Sequence, residues 1–181
     1  MMTDMTIRSL FLAMTLLLCG CGLPDASESP LPAVPAQSVA SKEHSQPFQN
    51  GDLIFQTSTS AQSQAIQLAT GSRYSHVGLL YQSADGSWCV YEAVATIRCT
   101  DLEAGIKRGK DGHYVVKRLR DADGILTLDR LRRMKAAGEA YLGRPYDTQF
   151  KWDNDRYYCS ELVWKLYRDA TGVELAPLAS I

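Results

Sequence analysis

Apolar positions are distributed unevenly along the chain, and their spacing divides it into three parts. Residues 10–18 form a mostly apolar stretch preceded by a single positive charge, Arg8. It is too short to cross a bilayer as a stable helix and has the form of a signal peptide. From residue 22 to about residue 49 the chain is rich in Pro, Ser and Ala with little periodicity, the composition of a tether. Patterned sequence begins near Asn50. Residues 53–56 predict a short strand. Residues 60–71, "SAQSQAIQLATG", predict a helix capped by Ser58 or Ser60, with Ala65, Ile66 and Leu68 as its apolar contacts and Gly71 as its stop. "SHVGLLYQ" (75–82) and "SWCVYEAVAT" (87–96) are β-rich runs on either side of the turn-prone "QSADGS", and together they predict an antiparallel hairpin. "HYVVKRL" (113–119) predicts another strand. Residues 126–143 predict a helix with Leu128, Leu131 and Met134 inward, and Arg130, Arg132, Arg133 and Lys135 on a solvated face. Residues 159–172 predict a last helix with Leu162, Val163 and Leu166 inward and Gly172 past its end. Strands flanked by helices in this order indicate the α+β class.

Composition narrows the picture. The chain has 181 residues, 45% of them hydrophobic, enough for one domain with one core. A net charge of −1 supplies no electrostatic case for nucleic acid. The apolar leader ends in Leu18-Cys19-Gly20-Cys21, which resembles the bacterial lipobox. That resemblance implies cleavage before Cys21, lipid (palmitate among the acyl chains) on Cys21, and a membrane anchor on the periplasmic side of the bacterial cell envelope, with the outer membrane expected. The expected organisation is therefore 1–20 signal peptide, 21–49 lipidated cysteine and flexible tether, and 50–181 folded domain. The domain keeps Cys89, Cys99 and Cys159. Cys89 and Cys99 are close enough in sequence to pair, but read more simply as small buried residues. The cysteines and the three His show no ligand spacing, so no metal or other cofactor is expected.

Chemistry concentrates at three positions. Cys159 opens the last helix, where unsatisfied N–H groups favour a thiolate and can stabilise an adjacent oxyanion. Asp153, Asn154 and Asp155 just before it are candidate capping groups. A nucleophilic thiol needs a base, and the base needs an orienting group. His76 stands at the head of a strand, and Glu92 is a carboxylate inside an otherwise apolar strand, expensive there without a partner. A hairpin loop over residues 82–86 places the two directly across from one another, with Cβ atoms roughly 5 Å apart. A loop over 84–86 makes them diagonal on the same face, and a two-residue Asp85-Gly86 turn puts them on opposite faces. An odd-length loop is expected because it gives Glu92 a partner.

"GDLIF", "ATGSRYSHVG", "YEAV", "LGRPYD" and "YYCSELV", in this order, resemble the landmarks of the permuted papain-like amidases, a family that includes YiiX-like and YaeF-like lipoproteins. The cysteine helix follows the histidine strand, the reverse of NlpC-type cysteine peptidases. The resemblance implies a circularly permuted papain-like fold, an antiparallel sheet or half-barrel packed on the nucleophile helix. By position it implies Cys159 as nucleophile, His76 as base and Glu92 in the orienting place. Tyr146 is the favoured aid to the acyl oxygen, ahead of Tyr157 and Tyr158, and Lys151 is a candidate for a substrate carboxylate. The implied activity is hydrolysis of an amide in a small peptide or amino-acid conjugate, such as a murein (peptidoglycan) peptide, through a thiol acyl-enzyme. The competing readings are a lipid acyl hydrolase or acyltransferase, and a non-catalytic cell-wall-binding lipoprotein.

Overall fold

The computed structural model describes residues 47–178. The expected signal peptide, Cys21 and most of the expected tether lie outside the described residues. All four predicted strands are present: β1 (Leu53–Ser58), β2 (His76–Gln82), β3 (Trp88–Ala93) and, later in the chain, Gly109–Lys117. A fifth, Ile97–Asp101, lies between them and is β4, so Gly109–Lys117 is β5. They form one antiparallel sheet in the order β4-β3-β2-β1-β5. Helix α1 (Ser63–Thr70) joins β1 to β2, and α2 (Leu102–Arg108) joins β4 to β5. After the sheet come α3 (Ala122–Ile125), α4 (Leu128–Tyr141) and α5 (Cys159–Thr171).

Strand alternation sorts the apolar residues onto two faces. Leu53, Phe55, Val77, Leu79, Tyr81 and Tyr91 meet Met134 of α4 and Leu162, Val163, Leu166 and Tyr167 of α5 in the main core. Ile54, Leu80, Val90 and Val116 face the other way and are covered in part by Leu102 and Ile106 of α2. The central strands are thus buried on both sides, which is why "LIF" and "VGLLY" read as nearly continuous apolar runs. Helix α5 is buried almost all round, with Trp164, Lys165 and Ala170 added to the predicted Leu162, Val163 and Leu166.

Several expectations need correction. Leu68 is 79% exposed and Leu128 66% exposed, although both were expected inward. Six residues, about 600° of helical rotation, separate Leu128 from Met134 and leave it off the buried stripe. Helix α1 is held less by apolar contact than by Ser63, whose hydroxyl lies 2.7 Å from that of Ser75. Neither Ser58 nor Ser60 caps that helix; Gln62 holds the position without a side-chain cap. Asp153, Asn154 and Asp155 do not cap α5, which begins after Tyr158. Asp153 instead accepts from the Asp155 and Arg156 amides in a local turn. Cys89 and Cys99 form a disulfide, contrary to their reading as free buried residues. The β3–β4 register pairs Cys89 with Asp101 and Tyr91 with Cys99, so the two lie diagonally with Cα atoms 5.5 Å apart, within bridging range.

Gly78 marks a close approach between β2 and β3. A Cβ there would overlap Val90 Cγ1, come within 3.2 Å of the Tyr91 carbonyl and 3.4 Å of Glu92 Cβ. Gly78→Ala is expected to destabilise the fold by about 1–3 kcal/mol, the usual cost of overpacking, and to displace Glu92. Thermal melts alongside the pH profile of the thiol will read both effects.

Candidate active site

The β2–β3 register decides whether the imidazole and the carboxylate can meet. Gln82 pairs with Trp88, and the Ser83 amide donates to the Ser87 carbonyl at 2.8 Å. The loop is therefore residues 84–86, the shorter odd-length choice, with Gly86 at φ 86° in the turn. His76 and Glu92 share a face and lie on a diagonal. His76 Nε2 is 2.7 Å from Glu92 Oε2. Glu92 is 1% exposed, and its second oxygen, Oε1, accepts from Arg108 Nη2 at the end of α2. Sequence reasoning missed Arg108, because α2 itself was not predicted. The available signal was the cost of Glu92: a carboxylate that deeply buried needs more than one half-buried histidine to offset its desolvation.

Cys159 is the first residue of α5 and is 7% exposed. It is the free cysteine among the described residues. The His76 side chain and the backbone amides of Val77 and Ser160 lie close enough to its sulfur to act on the thiol electrostatically. Glu92 takes Nε2 of the ring, which leaves Nδ1 for the sulfur. Two elements converge here, the head of β2 and the tip of α5, so the thiol sits where strand and helix amides both point.

The electrostatics follow from these contacts. Burial pushes the Cys159 thiol up, but the His76 hydrogen bond and charge and the two amides outweigh it and hold the thiol below its ordinary value. Burial would lower His76, yet hydrogen bonds and charge from Cys159 and Glu92 raise it to about 9. Burial would raise Glu92, but His76 and Arg108 bring it down to about 2. A thiolate–imidazolium pair backed by a carboxylate is the form these shifts favour at neutral pH. His76, raised on folding, contributes stability that is complete below its unfolded value and is lost as pH rises through about 9.

His76 and Tyr146 line a cleft of about 400 Å³. Tyr146 reaches it because "LGRPYD" is stitched between two segments: its amide donates to the Ala95 carbonyl, and the Asp147 amide to that of Tyr157. Burial and the nearby Cys159 charge push the Tyr146 phenol up, so it stays protonated and able to donate. The other proposed substrate contacts are not brought together. Tyr157 is fully buried, its hydroxyl accepting from Arg144 at 2.9 Å and its ring 5.0 Å from that of Tyr141. It belongs to the main core, beside Leu162 and Tyr167 of α5. Lys151 is exposed and does not line the cleft; its backbone amide binds the Asp147 carboxylate.

A sequence model of the permuted papain-like amidase enzymes, YaeF/YiiX, C92 family, matches residues 47–180. The uncharacterized protein YiiX of Escherichia coli K12 is 44% identical over 127 residues, a match spanning 70% of this chain and 61% of that protein. The crystal structure of metalloprotein yiiX from Escherichia coli O157:H7 is similar in fold, with a TM-score of 0.65, 45% identity, and coverage of 70% of this chain and 68% of that one.

Proposed function

Since this chain belongs to the permuted papain-like amidase family of the YaeF/YiiX type, we propose that it is a cysteine hydrolase cleaving an amide in a small peptide or amino-acid conjugate, with a cell-wall peptide as the favoured substrate. The observation that carries this reading is the contact sequence Cys159–His76–Glu92, with the sulfur on a helix tip. Glu92 fixes the imidazole and favours its charged form. The Cys159 thiolate attacks the amide carbonyl, forming a C–S bond and an oxyanion. First-turn amides of α5, which lack intrahelical partners, and the Tyr146 hydroxyl are placed to stabilise that oxyanion. His76 gives its proton to the departing amine as the C–N bond breaks. The neutral ring then takes a proton from water, which attacks the thioester and releases the acid and the thiol.

The cleft wall is mixed: Gln56, Ser58 and Ser75 offer hydrogen-bonding groups to a peptide, beside apolar Ile66, Val94 and Ala95. The similar E. coli structure is described as that of a metalloprotein. Among the described residues here, no group of three His, Cys, Asp or Glu is placed to hold a metal ion. Both Glu92 oxygens are also engaged, so the reading routes no step through a metal.

The test is to incubate the protein with digested cell wall and, separately, with phospholipid vesicles. Release of free amino acids or stem-peptide fragments is expected. Fatty acid from the vesicles, with nothing from the wall, would replace this reading with the lipid one. The pH profile is a further check. Hydrolysis needs His76 protonated to serve the leaving amine, so its rate is expected to fall above about pH 9. Alkylation of the same thiol by iodoacetamide needs only the thiolate and is expected to hold its rate there. The envelope location is proposed with it: Cys21→Ser is expected to release the protein from the membrane fraction.

A further inference from the structure

We infer that Arg108 is a positioning residue of this site, holding the second oxygen of Glu92 so that the carboxylate presents the first to His76 and stays charge-balanced throughout turnover; this rests on the hydrolase reading above. Glu92 is 1% exposed and its two oxygens are divided between two partners, His76 on Oε2 and Arg108 on Oε1. A carboxylate held at both oxygens has its plane fixed. The ring it holds through Nε2 is fixed in turn, which leaves Nδ1 available to the neighbouring Cys159.

Charge alternates along the chain of contacts: thiolate, imidazolium, carboxylate, guanidinium. The resting site is neutral as a set. After His76 has given its proton to the leaving amine, Cys159 is acylated and His76 is neutral. Glu92 then depends on Arg108 alone for compensation. Without Arg108 that intermediate carries a buried, unpaired carboxylate, so the imidazole holds its proton more tightly and donates it less readily.

The fold invests in the placement of Arg108. The Gln56 side-chain amide, itself buried, donates to the Gly105 and Ile106 carbonyls at 3.2 Å each, and Gln56 pairs with His76 in the β1–β2 register. Thr59 Oγ1 donates to the Arg108 carbonyl at 3.3 Å, and Asp101 caps the other end of α2. The end of α2 is thereby fastened to the strand beside the imidazole. The charged and titratable groups around His76 and Glu92 are Cys159 from α5, Arg108 from α2, Arg98 from β4 and Tyr146 from the segment before α5. Arg98 lies opposite Glu92 in register and is exposed.

The experiment compares Arg108→Gln and Arg108→Lys in the full chain, reading the His76 imidazole titration by NMR, the pH profile of hydrolysis and the separate kcat and KM values. In Arg108→Gln the His76 midpoint and the alkaline limb of hydrolysis are expected to move upward. A shift of one pH unit corresponds to about tenfold tighter proton binding, and about a tenfold loss of kcat at neutral pH is expected with KM unchanged. Arg108→Lys, which keeps the charge, is expected to return the midpoint toward that of the unaltered protein. An unshifted His76 midpoint in Arg108→Gln overturns the inference, as does a rise in KM alone, which would make Arg108 a substrate contact. A shifted midpoint in a protein that hydrolyses no amide supports the charge relation and overturns the hydrolase reading instead.

Discussion

Replacement of His76 by alanine will silence Cys159. In the intact protein the imidazolium and two amides hold the buried thiol below its ordinary value. Without the ring the largest remaining influence is burial, which raises a thiol. An ordinary cysteine carries only a few per cent thiolate at pH 7, and a buried one carries less. Iodoacetamide labelling of Cys159 at pH 7 is therefore expected to slow by at least about thirtyfold, the ratio set by that thiolate fraction. Hydrolysis is expected to fall further, by on the order of 10⁴-fold or more, because both the base and the acid of the cycle are lost. Mass spectrometry of labelled protein gives the first number and an amide-release assay the second. Labelling as fast in His76→Ala as in the unaltered chain would show that the thiol owes nothing to the ring and would leave the non-catalytic binding reading standing.

The largest stability effect is expected at the pair that anchors the loop before α5. Lys165 and Glu161 lie one turn apart, 2.7 Å from one another, with side chains 8% and 0% exposed. Lys165 Nζ also donates to the Asp153 carbonyl and, at 3.0 Å, to Asn154 Oδ1. It sits 5.0 Å from the ring centre of Trp152 and 4.8 Å from that of Tyr157. One ammonium therefore ties the approach to Cys159 onto the helix that Cys159 begins. Lys165→Met keeps the aliphatic bulk and leaves Glu161 as a buried carboxylate whose remaining contact is the Tyr158 amide at 3.4 Å. The expected loss is about 3–5 kcal/mol at neutral pH, measured by urea unfolding. Burial already holds the Glu161 carboxyl above its ordinary value against the opposing pull of Lys165. Removing Lys165 raises it further. A carboxyl raised on folding binds its proton more tightly in the folded state, so the deficit grows as pH rises through that window and shrinks near about pH 4. A deficit that is constant from pH 4 to pH 8, or below about 1 kcal/mol, would mean that Glu161 finds water or another partner when Lys165 is gone.

These expectations draw on both levels of description, and the levels differ in what they carry. Long apolar runs announced their elements. "LIF", "VGLLY" and "ELVWKLY" are strands and a helix buried on most sides, so burial and local pattern agree. Strand β4 and helix α2 were not announced. "IRCTDLEAGIKR" mixes charges with short apolar residues, and its structure comes from pairing with β3, the Cys89–Cys99 bridge and the Gln56 amide. Leu68 and Leu128 show the converse failure: apolar residues without a neighbour to cover them stay at the surface.

Residue chemistry was enough to single out Cys159, His76 and Glu92 as candidates, and the resemblance carried by the ordered motifs implied their permuted arrangement. Each belongs to a residue type whose burial or helix-tip position is costly or reactive on local grounds. Convergence was another matter. The hairpin allowed three loops, two of which keep imidazole and carboxylate on one face; the fold adopts the one over residues 84–86, which brings them to 2.7 Å. Arg108 at the carboxylate's other oxygen, Tyr146 at the cleft and Tyr157 turned into the core depend on contacts between segments far apart in the chain, and local pattern carries no record of such contacts.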